Sequence, residues 1–162
     1  MSEQLEDKLA ALDAAEAVFA QNAVPYALIG GLAVGLRSGA PRATIDSDFA
    51  IASSVDRNWL CERLAAVGFQ TKGRFRHTVH LLHGSGESVI LAFDAQFDPM
   101  IERAEQLPLG DIELRVVTTA DLLAMKRRAA ADPERSRSKA LRDQADIVML
   151  EGDIPPDSTM GW

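Results

Sequence analysis

Two aspartates stand two positions apart in a short stretch of mixed apolar and polar residues, 44–51. Side chains alternate between the two faces of a β-strand, so Asp46 and Asp48 share one face while Phe49 belongs to the other. Twice the rise per residue places the two carboxylates roughly 6–7 Å apart. A divalent cation relieves their repulsion, and Mg²⁺ binds one or two protein carboxylates together with water and phosphate oxygens. We predict that Asp46 and Asp48 bind Mg²⁺ or Mn²⁺; the alternative is a polar strand face open to solvent.

A pair of glycines precedes these aspartates. Gly30 and Gly31 follow an apolar run, 24–29, that we predict to be a buried strand, and they precede a short helical segment, 32–36. Because glycine has no Cβ, the backbone can approach a ligand closely, and the free N–H groups of a helix N-terminus favour phosphate. We expect this pair to contact a triphosphate through the backbone; an ordinary turn is the alternative.

Positive charge is concentrated in one segment of an acidic chain. The net charge is −7, which argues against a general nucleic-acid coat protein. Basic residues nevertheless crowd into one short stretch: Lys126, Arg127, Arg128, Arg135, Arg137, Lys139 and Arg142. Such a cluster suits a compact anion such as a triphosphate, or a short piece of RNA backbone. A solvated helix face is the alternative interpretation.

Length and composition indicate a single domain in a reducing compartment. The chain has 162 residues, enough for one core without disulfides. Cys61 is the only cysteine, so neither an intrachain disulfide nor a cysteine-rich metal site can form. No apolar run approaches the ~20 residues that span a membrane. We therefore expect a cytoplasmic protein with no membrane partner, a single domain over residues 1–151 and a loose tail over 152–162.

The positions of these motifs depend on the elements around them. Apolar periodicity and turn residues predict helices at 3–21, 32–36, 56–67, 99–104, 119–131 and 134–150, and strands at 24–29, 44–51, 77–83, 87–97 and 112–117. Helices and strands alternate irregularly, which is typical of an α/β or α+β domain. The predicted fold class is a mixed central sheet flanked by helices.

The order of strand, Gly30-Gly31, helix, loop and Asp46-Ser47-Asp48 resembles the motif of the DNA-polymerase-β-like nucleotidyltransferase superfamily. The segment from Arg42 to Asp48 looks more closely like the AbiEii-type nucleotidyltransferases, which include toxins of bacterial toxin–antitoxin and phage-defence systems. The resemblance continues through residues 121–126 and 139–147 and covers about 24–150. It implies the polymerase-β-like nucleotidyltransferase fold.

The resemblance also implies roles for residues near the C-terminus. In that family a lysine on the penultimate helix meets nucleotide phosphates, and an Arg-Asp-x-x-Asp helix completes the site. By position these residues are Lys126, Arg142, Asp143 and Asp146, with Arg42 added from the loop before the aspartates. Surface i,i+4 ion pairs on one helix are the structural alternative, although cation-before-acid is the weaker order.

The superfamily normally supplies a third carboxylate, as metal ligand or general base, from a neighbouring strand. Its pattern places that acid near Ile90, where this chain is apolar. Asp94 lies on the same strand face but ~13 Å further along. We predict that Asp94 fills the catalytic role through a shifted register; Asp98, next to Pro99, is expected to start a short helix.

The resemblance thus implies an enzyme that transfers a nucleoside monophosphate from an NTP to an acceptor, with Mg²⁺ as cofactor. The acceptor would be a tRNA, a protein or a small molecule such as an aminoglycoside, and a toxin would have an antitoxin partner. The apolar Ile90 favours an alternative, a catalytically decayed nucleotidyltransferase fold that binds nucleotide or a partner protein. A plain structural domain, which would bind neither nucleotide nor metal, is the third interpretation.

Overall fold

The computed structural model describes residues 3–39 and 46–152. They form, in chain order, α1 (Glu3–Gln21), β1 (Tyr26–Ile29), α2 (Gly30–Ser38), β2 (Asp46–Ile51), α3 (Arg57–Ala65), β3 (Phe69–Arg74), β4 (Thr78–His83), β5 (Ser88–Ala92), a 3-10 turn (Ala95–Phe97), α4 (Asp98–Arg103), β6 (Glu105–Leu109), β7 (Ile112–Val116), α5 (Thr119–Ala130) and α6 (Arg137–Glu151). Arg42 and residues 153–162 of the predicted tail lie outside the described residues.

The strands form one mixed sheet in the order β3-β4-β5-β2-β1-β7-β6. The β2–β5 and β1–β7 pairs are parallel and the others are antiparallel. This confirms the predicted mixed central sheet with flanking helices. The parallel pairing of β2 with β5 is the one that matters for the site, because it sets which residues of β5 lie beside the two aspartates.

Two strands were not predicted, and both lie at the edges of the sheet. β3 has the sequence FQTKGR and β6 has EQLPL, so each combines charged or polar residues with a glycine or a proline. Edge strands tolerate these residues because one side needs no ladder partner. Their strand conformation therefore comes from pairing with β4 and β7, respectively.

The predicted strand at 87–97 was too long. β5 ends at Ala92, and a 3-10 turn begins at Ala95. Asp94 causes the change of direction, because its side chain accepts a hydrogen bond from the backbone N–H of Gln96 and so caps the turn.

One face of the sheet packs into the main core. Phe19 of α1 contacts Tyr26 and Phe49, with ring centroids 4.7 and 5.3 Å away, respectively. α3 packs beside α1 over β3 and contributes the buried Leu60 and Leu64. α2, α5 and α6 contact one another and cover part of the opposite face, which carries Asp46 and Asp48. Among the described residues, no helix combines the length and the apolar character needed to cross a bilayer.

The helices over the aspartate face begin at capping side chains. Thr118 caps α5 by accepting from the N–H of Asp121, and Ser136 caps α6 by accepting from that of Lys139. The predicted break at Asp132-Pro133 separates the two helices, because the residue before a proline disfavours the helical conformation. The chain turns there and packs α6 against α5.

Candidate active site

Asp46 and Asp48 lie on β2 with their side chains on the face turned away from the main core. Both are partly exposed, whereas the alternate residues Ser47 and Phe49 are buried. Asp48 is paired with Ile29 of β1 on one side and with Ile90 of β5 on the other. The end of β1, where α2 begins, therefore lies directly beside the second aspartate.

Gly30 is the first residue of α2 and touches Asp48. Its φ is +74°, a conformation that glycine adopts without the steric cost other residues incur. A Cβ at this position would overlap the Asp48 carboxylate and would lie 3.0 Å from its Cγ. The N-cap residue Ile29 offers no side-chain cap to the first-turn N–H groups of α2.

Arg37 fixes the other end of α2. Its guanidinium donates hydrogen bonds to the carbonyl oxygens of Val116 and Val117, at 3.1 and 2.9 Å, and to Glu105 at 2.9 Å. These contacts tie α2 to the end of β7 and to β6. The orientation of the α2 N-terminus toward Asp48 is thus set by strands that are distant in sequence.

The carboxyl group of Asp48 is difficult to ionise. Burial, and next the negative charge of Asp46, raise its pKa from 3.8 to about 6, against the opposing positive charges of Lys126, His80 and Lys8. A bound cation would favour the ionised form. The site therefore has the electrostatic character of a cation-binding site.

Lys126 of α5 is held by two buried carboxylates of α6. Its Nζ lies 3.0 Å from Oδ2 of Asp146 and 3.4 Å from Oδ1 of Asp143. Both aspartates are only 2% exposed. They are therefore placed to orient Lys126 across the α5–α6 interface, and they present little exposed surface to a nucleotide.

Arg135, in the turn between α5 and α6, completes this cluster. It donates to Asp143 through Nε at 2.7 Å and through Nη2 at 3.3 Å. Burial alone would raise the pKa of Asp143, but the hydrogen bond from Arg135 and the charge of Lys126 together lower it. We call Lys126, Arg135, Asp143 and Asp146 the α5–α6 clamp. Sequence reasoning placed Arg135 only in the basic segment, because nothing local to this turn indicates a site residue.

Asp121 positions the start of α5. It accepts two hydrogen bonds from Arg103, from Nε at 3.0 Å and Nη2 at 2.8 Å. The hydrogen bond from Arg103 lowers the pKa of Asp121 despite its burial. This ion pair joins α4 to α5. Within the 121–126 motif, Asp121 therefore stabilises the packing of the two helices, whereas Lys126 lines the site.

Two cavities meet at Asp48. The polar cavity has a volume of about 380 Å³ and is lined by Asp48, Lys126, Arg135, Lys139, Arg142 and Asp143. The apolar cavity, about 290 Å³, shares Asp48, Lys126, Arg135 and Asp143 with it and extends over Ile90 between the sheet and α5. The fold thus brings Gly30, Lys126, Arg142 and Asp143 around Asp48.

Asp94 is not brought to these cavities. Its carboxylate accepts from the N–H of Gln96 at 3.0 Å and from the Gln96 side chain at 3.2 Å, and lies 3.9 Å from Nδ1 of His77. The β2–β5 pairing runs only to Ala50 and Ala92. Asp94 therefore follows the paired strand, while the position beside Asp48 is occupied by Ile90.

The donor set fits a cation that shares its ligands with a substrate. Within residues 3–39 and 46–152, no group of three or more histidine, cysteine, aspartate or glutamate side chains is arranged to hold a metal ion. Asp46 and Asp48 offer two carboxylates, and Mg²⁺ is commonly bound by one or two carboxylates plus water and phosphate oxygens. The residues present therefore suit Mg²⁺ bound together with a polyphosphate.

Comparison with known proteins gives a family match over most of the chain. The model of a family described as nucleotidyl transferase AbiEii toxin, type IV toxin–antitoxin system, matches residues 11–160. No curated protein matches the chain by sequence.

Solved structures share the fold at low sequence identity. The lincosamide antibiotic adenylyltransferase LnuA, bound to lincomycin, has a TM-score of 0.62 and 14% identity over 90% of this chain and 95% of that one. The antibiotic-resistance factor ANT(2'')-Ia has a TM-score of 0.64 and 14% identity, over 93% and 89%. An antigenic nucleotidyltransferase-like protein from Paracoccidioides brasiliensis has a TM-score of 0.62 and 24% identity, over 92% and 76%. These similarities confirm the predicted nucleotidyltransferase fold.

Proposed function

The chain belongs to the AbiEii family of nucleotidyltransferases, and we propose that it transfers a nucleoside monophosphate from an NTP to an acceptor in a Mg²⁺-dependent reaction. The observation that carries this proposal is the meeting of three separate elements at Asp48. Its carboxylate touches Gly30 at the start of α2, stands two residues from Asp46, and shares a cavity with Lys126 and Arg135. Carboxylates, helix N–H groups and cations are the groups that bind a metal-complexed triphosphate.

Each part of the site has a distinct task in this proposal. Asp46 and Asp48 would hold Mg²⁺, which when bound supplies Lewis-acid stabilisation of charge on phosphoryl oxygens. Backbone N–H groups at Gly30 and Gly31 donate to phosphate oxygens. Lys126 supplies a point charge to the triphosphate. Catalysis then depends mainly on positioning and on electrostatic stabilisation of the transferred group.

The remaining basic residues extend the phosphate-binding surface. Arg142 and Arg135 line the polar cavity, and we include Arg42, which precedes β2 in the sequence. Asp143 and Asp146 act through Lys126, which they hold in place. We assign Asp94 no part in the chemistry, because its carboxylate caps the turn after β5.

The acceptor and the biological role are further parts of the proposal. The family's description as a toxin of type IV toxin–antitoxin systems supports a transfer that inactivates a cellular target and is opposed by an antitoxin. LnuA and ANT(2'')-Ia are described through antibiotics and antibiotic resistance, which supports a small-molecule acceptor as the competing choice. An acceptor screen with tRNA, protein and aminoglycoside fractions separates these classes.

One observation favours a second candidate function, nucleotide binding without transfer. Ile90 is the register partner of Asp48 on β5, and an apolar side chain there can neither bind a metal ion nor accept a proton. In this candidate the protein would bind NTP and release no pyrophosphate.

The test is incorporation of label from α-³²P-labelled NTPs into a bacterial cell extract, which supplies nucleic acid, protein and small-molecule acceptors together. Asp46→Asn and Asp48→Asn are each expected to lower Mg²⁺-dependent incorporation about 100-fold or more. Asp111→Asn, at an exposed turn between β6 and β7, is the matched control and should leave it unchanged. Full activity in both site variants would refute the metal assignment, and NTP binding without pyrophosphate release would favour the second candidate.

A further inference from the structure

The apolar cavity beside Asp48 is lined in part by Gly30, Asp48, Lys126 and Arg135, and its remaining, apolar wall has no role in the phosphate chemistry described so far. It lies between the aspartate face of the sheet and α5, and its apolar lining consists of Ile29, Ile90, Ala92, Leu122, Met125 and Ala129. Its volume of about 290 Å³ is close to the lower end of the range for small-molecule sites. Ile90 makes this wall apolar at the position next to Asp48.

The two cavities that meet at Asp48 differ in chemistry in the same way as the two halves of an NTP. Lys139 and Arg142 line the polar cavity and not the apolar one, whereas the side chains of Ile90 and Met125 line the apolar cavity and not the polar one. A triphosphate carries three to four negative charges, whereas a nucleobase is uncharged with apolar faces. An NTP with its reacting phosphate at Asp48 would therefore direct its terminal phosphates toward Lys139 and Arg142.

We propose that the nucleoside of the bound NTP enters the apolar cavity, with its base against Ile90 and Met125. This inference rests on the proposed function and extends it by assigning the base-binding part of the site. Lys126 and Arg135 line both cavities, so they stand at the junction between base and phosphates. The acceptor then approaches from outside this cavity, and Ile90 serves substrate binding in place of a third carboxylate.

The experiment compares calorimetric binding of the tightest-binding NTP with that of inorganic tripolyphosphate, both with Mg²⁺. Ala129→Leu fills the cavity from α5 while keeping a strong helix former. We expect this variant to bind the NTP at least about tenfold more weakly, since the base loses its space, and to bind tripolyphosphate as the wild type does. Ala124→Leu, at an exposed position of the same helix, is the matched control and should change neither affinity.

Met125→Gln gives a second variant of similar volume that makes the cavity wall polar. It should also weaken binding of the NTP and leave that of tripolyphosphate intact. Equal affinities of wild-type and Ala129→Leu protein for the NTP would overturn the inference. Parallel losses for NTP and tripolyphosphate in both cavity variants would overturn it as well.

Failure of the proposed function has a different signature. If neither NTP nor tripolyphosphate binds the wild-type protein with Mg²⁺, the nucleotidyltransferase assignment of the site is wrong and the base-binding assignment falls with it. If both ligands bind with equal affinity and Asp48→Asn abolishes both, the phosphate site stands and only the base-binding cavity is rejected.

Discussion

At the scale of single residues, the contact between Gly30 and Asp48 links the phosphate-binding and metal-binding parts of the site. The Cβ that any other residue would add at position 30 coincides with the Asp48 carboxylate. The start of α2 can approach the carboxylate so closely only because position 30 lacks a side chain. Position 30 therefore requires glycine for two reasons: its positive φ, and the lack of space for a side chain beside Asp48.

Gly30→Ala should therefore impair the site more than the fold. The left-handed backbone costs an alanine about 1–2 kcal/mol, and the overlap forces Asp48 or α2 to move. We expect NTP affinity with Mg²⁺ to fall at least about tenfold, measured by calorimetry. Gly86→Ala is the control: its φ is +94°, but nothing lies within 4 Å of an added Cβ. That variant should lose stability in thermal unfolding and keep its affinity; equal affinity losses in the two would contradict the steric argument.

Asp48 also makes stability depend on pH. Its pKa is about 6 in the folded protein and near its ordinary 3.8 when unfolded. Between these values the folded protein retains a proton that the unfolded chain has lost, so this group lowers the free energy of unfolding as pH rises from about 4 to 6. Asp48→Asn lacks this penalty. It should exceed the wild type in stability at pH 7 by up to about 3 kcal/mol, and by little at pH 4.

The measurement is urea unfolding at both pH values with EDTA present, so that no divalent cation offsets the charge. Asp111→Asn, at an exposed turn, should show no such change in its stability difference between pH 4 and pH 7. A stability difference between Asp48→Asn and wild type that is the same at both pH values would show that the pKa of Asp48 is not raised.

At the scale of elements, the α5–α6 clamp determines where Lys126 points. Asp143 and Asp146 are separated by three positions on α6 and face α5, where Lys126 lies between them. The structural alternative considered from the sequence was that each aspartate pairs with a basic residue four positions earlier on the same helix, on the helix surface. Packing of α6 on α5 buries them instead, and a buried carboxylate requires a partner of opposite charge.

Lys126→Met should destabilise the fold by about 3 kcal/mol in urea unfolding at pH 7, because it removes the cation between two buried carboxylates. Lys126→Met with Asp146→Asn should recover most of that loss, since less negative charge stays buried, yet neither variant should bind NTP tightly. Arg127→Met is the control on the same helix. Its ion pair with Glu151 is 3.5 Å long and exposed, so its loss should cost less than about 1 kcal/mol. No recovery in the double variant would argue against the clamp.

Edge strands and capped turns account for the element predictions that failed. β3 and β6 contain residues that disfavour strands locally, and they form because β4 and β7 provide hydrogen-bonding partners. β5 ends early because Asp94 caps a turn. The predicted third carboxylate at Asp94 depended on a long strand, so the end of β5 at Ala92 removed its structural basis.

At the scale of the whole molecule, the fold brings basic residues that are close in sequence into one cavity. The chain has a net charge of −7, yet Lys126, Arg135, Lys139 and Arg142 line one polar cavity beside Asp48. These four cations outnumber the two carboxylates of Asp48 and Asp143 in the same cavity, so its balance of charge attracts a small anion. The surrounding acidic chain disfavours extended nucleic-acid surfaces, which agrees with a compact polyphosphate as the ligand.

Several features of the site followed from the sequence because they depend on neighbours along the chain. Strand alternation alone placed Asp46 and Asp48 on one face, and a glycine pair between a strand and a helix indicated backbone contact with phosphate. Motif order was also sufficient to indicate the family. Only the tertiary structure decided that Ile90 lies beside Asp48, that Arg135 joins the site, and that Asp143 and Asp146 are buried around Lys126. Strand register and helix packing are set by contacts between residues far apart in the chain, which no local pattern specifies.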